Sequence, residues 1–91
     1  EIMKAVLTVI GRDKVGIIYR VSELLAKNDI NILDISQTIL DGYFTMIMIV
    51  DIASVEATFA DIQQKLDSLG NEMQLSIRIQ HEDIFNSMHK I

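Results

Sequence analysis

The chain has no cysteine, no proline and no tryptophan, only four glycines, and aromatic side chains at 5% of its 91 positions. Each shortage excludes something. Without cysteine there is no disulfide framework and no thiolate metal site, and the composition fits a reducing compartment, so the expected location is cytoplasmic. Without proline and with so little glycine, linkers and disordered segments have no compositional support. Long apolar runs are missing as well: the longest, Met46 to Val50, is far too short to span a bilayer. No positively charged leader precedes an apolar run, so no signal peptide is expected, and Met3 rather than Glu1 fits an initiator. Positive charge is also scarce. Eight basic side chains stand against 13 acidic ones, a net charge of −5, which disfavours nucleic acid and anionic membranes as partners.

What the chain does have is apolar residues, at 49% of positions. Its length allows one domain over residues 1–91. A chain this short buries only roughly 60–65% of the surface its unfolded form exposes. Interior positions are therefore few, and some apolar side chains should face a partner. Self-association is expected on composition alone.

The patterning alternates between two periods. Met3 to Ile10 is rich in β-formers and stops at Gly11, which predicts a strand followed by a turn from Gly11 to Gly16. From Ile17 the period lengthens: Ile17, Ile18, Val21, Leu24 and Leu25 make one helical stripe, with Arg20, Glu23 and Lys27 off it. Asn28-Asp29 closes that helix, with asparagine suited to a left-handed end. Two β-runs, Asn31–Leu40 and Tyr43–Val50, flank Asp41-Gly42, a pair that supplies the positive φ angles of a type I′ hairpin. Val55, Phe59, Ile62, Leu66 and Leu69 repeat at steps of four and three, predicting a second helix. Ser54 is the expected cap, Glu56 sits near its positive end, and Gly70 is the expected stop. Met73, Leu75, Ile77 and Ile79 alternate with Gln74, Ser76, Arg78 and Gln80, a strand with one dry face. A short terminal helix opens at Glu82-Asp83, with His89 and Lys90 near its end and Ile84, Phe85, Met88 and Ile91 as its apolar side.

That order is α+β, a ferredoxin-like βαββαβ sandwich. Right-handed crossovers and the hairpin give an antiparallel sheet of order 2-3-1-4, two helices on one face, and a short C-terminal helix. Strand Tyr43–Val50 is apolar on both sides, so the sheet face without helices needs cover, from the last helix or from a second subunit.

Catalytic and metal motifs are not visible. His81 and His89 lie eight residues apart, about 12 Å on a helix, too far to share one ion. No nucleophile–base order, HExxH or Walker pattern is found. The expectation is no catalysis, no metal and no cofactor. Arg78 suits a solvated face. The turn Gly11-Arg12-Asp13-Lys14-Val15-Gly16 is different. It delivers a strand to a helix N-terminus, where free N–H groups and the dipole favour a carboxylate or phosphate. Gly16 admits a ligand close to the backbone, and Asp13 is placed to cap the helix. The alternative is a purely structural strand-to-helix turn, and the residues by themselves weigh the two equally.

Three segments together resemble an ACT domain: Ala5-Val6-Leu7-Thr8-Val9, the turn continued through Ile17-Ile18, and Asn28-Asp29-Ile30-Asn31-Ile32. The resemblance covers essentially the whole chain. Asp34 to Thr38 followed by Asp41 to Met46 narrows it to the stand-alone ACT proteins of bacteria and archaea, and less closely to the ACT modules of glycine-cleavage regulators. It implies regulatory binding of an amino acid or similar ligand between two paired domains, here as a homodimer. On that pattern the site residues are Asp13, Lys14, Val15, Gly16 and Ile17 of the turn, with backbone N–H groups of Val15 to Ile17 on the ligand's carboxylate. Asn31 and Asp34 are the expected contacts for its amine. The competing expectation is a protein-interaction module of the same fold with no small ligand. A regulated protein partner fits either.

Overall fold

The computed structural model describes residues 2–12, 15–55 and 58–88. Asp13 and Lys14 of the turn, Glu56, and His89, Lys90 and Ile91 at the end of the chain lie outside the described residues. The elements run β1 (Lys4–Arg12), α1 (Ile17–Lys27), β2 (Asn31–Leu40), β3 (Tyr43–Asp51), α2 (Phe59–Met73), β4 (Ser76–His81) and α3 (Glu82–Met88). The sheet is antiparallel with order β2-β3-β1-β4, as the topology rules require.

The core lies between the sheet and its two long helices. Leu7, Met46 and Met48 from the central strands meet Val21 and Leu25 of α1 and Ile62 and Leu66 of α2, all essentially fully buried. Burying each of the larger of these side chains contributes about 1.5–3 kcal/mol. Most of each predicted stripe is buried, Ile17, Val21 and Leu25 in α1 and Ile62, Leu66 and Leu69 in α2, but Ile18 is 41% exposed and Val55 precedes α2. α1 leans toward β2 and α2 toward β4.

Element ends depart from the sequence expectation in several places: Gly11 and Arg12, expected in the turn, are the last residues of β1, and Met73, expected to open the last strand, ends α2, so that β4 starts only at Ser76. Thr58, not Ser54, caps α2, its hydroxyl accepting from Asp61 N at 3.1 Å. Residues ahead of it are held otherwise: Asp51 Oδ1 accepts from Ala53 N, and Val55 N donates to Ile52 O. Gly70 does not stop the helix, which continues to Met73 and ends at Gln74, φ +58°. Gly70 is needed inside, because a Cβ there would lie 2.7 Å from the Leu75 carbonyl oxygen. At the close of α1 the left-handed residue is Asp29, φ +59°, while Asn28 is not left-handed. The hairpin stands as expected, with φ +53° at Asp41 and +82° at Gly42.

The sheet face away from α1 and α2 is partly covered. The last helix α3 packs on β1 and β4, and Val6, which points to that face, is 2% exposed. Farther along the same face Ile10 and Ile47 remain 41% and 38% exposed. Within α3, Phe85 is half-buried whereas Ile84 is exposed, so the expected apolar side is only partly turned inward. No described helix is long and apolar enough to cross a membrane.

Candidate functional site

The strand β1 reaches the turn as a buried, doubly paired element. Gly11 is buried, and the place where its Cβ would lie is taken by the Leu75 side chain. Arg12, the last residue of β1, lies over the Tyr43 ring at 5.8 Å, which ties the strand end to the start of β3. The described chain resumes at Val15, whose side chain is fully exposed. Gly16 follows as the N-cap of α1 with φ +89° and ψ +2°, a left-handed conformation that costs an L-residue energy and glycine little. Nothing lies within 4 Å of where a Cβ on Gly16 would project. Its carbonyl accepts from Arg20 N at 2.9 Å, and Ile17, 3% exposed, anchors the first turn of the helix in the core. Having no side chain, Gly16 caps no N–H group of α1 itself. The arrangement is a helix N-terminus with open space at Gly16, between the buried Gly11 and Ile17.

A second tether holds that helix end in place. Arg20 donates to Glu72 Oε2 at 2.6 Å, joining the start of α1 to the end of α2. The hydrogen bond and charge of Glu72 raise the Arg20 pKa above its ordinary value. Neither this pair nor the Arg12–Tyr43 contact was singled out from sequence, since both join residues far apart in the chain.

Asn31 and Asp34 do not join the turn within one chain. The register places Asn31, Asp51 and Lys4 in one row and Leu40, Tyr43 and Arg12 in another. From Lys4 to Arg12 is 12 − 4 = 8 positions along β1, about 26 Å at a strand's rise. Asp34 pairs with Ile49, which pairs with Val6, so it is nearer but still distant. Its carboxylate accepts from Ile35 N.

β2 itself is an edge strand of ten residues, and only Ile32 along it is even half-buried. No proline or lysine protects it, and its side chains include Ile39 at 62% and Leu40 at 71% exposure. At the far end of the sheet a cleft of about 230 Å³ lies among Met3, Ile52, Val55, Phe59 and His81, with the Phe59 and His81 rings stacked at 4.3 Å. Among the described residues no cluster of His, Asp and Glu is placed to hold a metal ion.

A family model for the ACT domain matches residues 4–80. The chain belongs to the ACT domain family. UPF0237 proteins of bacteria and archaea match it over nearly its full length. One from Listeria innocua is 54% identical over 89 residues, covering 98% of this chain and 100% of the relative. An ACT domain protein from Streptococcus pneumoniae has a solved structure that superposes with a TM-score of 0.83 at 40% identity, covering 93% of this chain and 96% of that one. A chain described as a glycine cleavage system transcriptional repressor shares the fold at TM-score 0.77 and 16% identity, over 88% of this chain and 47% of its own. ACT domains are regulatory ligand-binding domains.

Proposed function

We propose that the chain is a regulatory domain that binds an amino acid, or a small molecule with the same carboxylate and amine, at the interface of a homodimer, with no catalysis of its own. The observation that carries this reading is the separation of the two halves of the site. The open turn at Val15, Gly16 and Ile17 lies at the hairpin end of the sheet, and Asn31 lies at the opposite end. A two-fold axis beside the unprotected edge β2 runs a second β2 antiparallel to the first, which brings the second copy's Asn31 toward Leu40 of the first. Because α1 leans toward β2, its N-terminus lies on the side where that residue arrives. The ligand's carboxylate then meets the N–H groups of Val15, Gly16 and Ile17. Asn31 and Asp34 of the second copy take the amine, and Asp13 and Lys14 belong to the proposed site on the family pattern alone. The exposed apolar residues of β2 supply the association. A reducing cytoplasmic setting is part of the same proposal.

Calorimetric titration with the common amino acids tests it, using Gly16→Asp as the control that places a carboxylate where the ligand's should sit. Binding by the parent and none by the variant supports it; no binding by any amino acid contradicts it. The rival reading, an interaction module without a small ligand, draws on the same edge strand, which also suits a strand from a different protein. A stable hetero-complex formed equally by parent and Gly16→Asp would favour that reading.

A further inference from the structure

The helix-free sheet face carries a groove that the turn does not use. It has a volume of about 500 Å³, within the range of roughly 300–1,000 Å³ typical of small-molecule pockets. Its floor is Ile10 and Ile47, both more than a third exposed, and one wall is Phe85 of α3. Arg78 and Ser76 line the β4 side, with Thr8 between them and the floor. The register explains the convergence. Thr8 pairs with both Arg78 and Ile47, and Ile10 pairs with Ser76, so these side chains occupy adjacent rows of one face.

We propose that this groove is a second ligand site, taking a small organic anion with an apolar body, independent of the turn at Gly16. Charge and shape point the same way. Arg78 is exposed and has no ion-pair partner among the described residues, although the chain carries a net charge of −5. No carboxylate is among the described residues lining the groove. A guanidinium offers a planar pair of donors to a carboxylate or phosphate, and the Thr8 and Ser76 hydroxyls are at hand to donate beside it. The apolar body of such a ligand would cover Ile10 and Ile47 against the Phe85 ring. A second sheet is a poor occupant. The α3 helix stands on this face, and a helix is about 10 Å across, the whole spacing of two packed sheets. A flat partner is therefore held off the floor, and a small molecule is not.

The test is a ¹⁵N NMR titration of the full chain with phenylacetate, phenyl phosphate and neutral phenylethanol. Either anion should give saturable shifts at Thr8, Ile10, Ile47 and Ser76, with phenylethanol at least about ten-fold weaker. Preference between the two anions assigns the site to carboxylates or to phosphates. Arg78→Gln should weaken binding about ten-fold and Phe85→Ala should weaken it independently, whereas Gly16→Asp should leave it unchanged. Absence of saturable shifts with both anions, shifts indifferent to Arg78→Gln and Phe85→Ala, or shifts confined to the turn overturn the proposal. So does a halving of the solution mass by Ile47→Lys, which would assign this face to a second copy.

Discussion

Gly16 and Gly70 are both required by the fold, for opposite reasons. Gly16 has space around it but a backbone that only glycine adopts cheaply, φ +89°. Gly70 has an ordinary helical backbone but no space, with the Leu75 carbonyl oxygen 2.7 Å from a Cβ position. Exchanging glycine for alanine inside a helix ordinarily gains about 0.5–1 kcal/mol. Gly70→Ala should reverse that sign and destabilise by about 1–3 kcal/mol, the usual cost of overpacking. Gly16→Ala should cost about 1 kcal/mol through the backbone alone. Urea denaturation of the two variants measures both, and a stabilised Gly70→Ala would contradict the packing described. Sequence distinguished these glycines poorly. Gly70 follows a helical seam at the spacing of a cap, and only the return of Leu75 over it shows that it is a packing residue.

Elements are held at their ends by single polar contacts. Thr58→Ala should cost about 1 kcal/mol by removing the α2 cap, while Ser54→Ala should be close to neutral. Thermal melts separate the two assignments. Asp51 closes the end of β3 by accepting from Ala53 N and from Met3 N. These backbone hydrogen bonds, from Ala53 first and Met3 second, hold its carboxyl below the ordinary range. A carboxyl held low favours the folded state while ionised, so its contribution is present above about pH 4 and is lost as the pH falls through the depressed value. The melting temperature of Asp51→Asn should therefore fall less steeply than that of the parent on acidification, and parallel curves would contradict this role. Strands, hairpin and helical stripes were legible because each is a local period or a local turn. The start of α2 was not, because Ser54 and Thr58 are both competent caps and the choice is made by Asp51 and the turn at Ile52 to Val55.

At the scale of the molecule, β2 is the feature that asks for a partner. A ten-residue edge without proline or lysine, carrying exposed Ile35, Ile39 and Leu40, is a template for another strand. Replacing Ile39 with lysine should shift the chain toward monomer in sedimentation equilibrium without unfolding it. An unchanged mass would remove β2 from the interface. The turn half of the proposed site is a contiguous run that sequence can single out. The placement of Asn31 was not, because the distance from Asn31 to Gly16 depends on strand direction and register rather than on spacing in the chain. That distance is the reason the proposed site calls for two copies.

Subunit complementation tests that claim most directly. Gly16→Asp and Asn31→Ala damage opposite halves of each site, so each variant alone should lose calorimetric binding of the amino acid that the parent binds. Random mixing makes half of the dimers mixed, each with one intact site, so the mixture should recover about one quarter of the parent's sites. Failure of the mixture to recover any binding would contradict a ligand site shared between two copies.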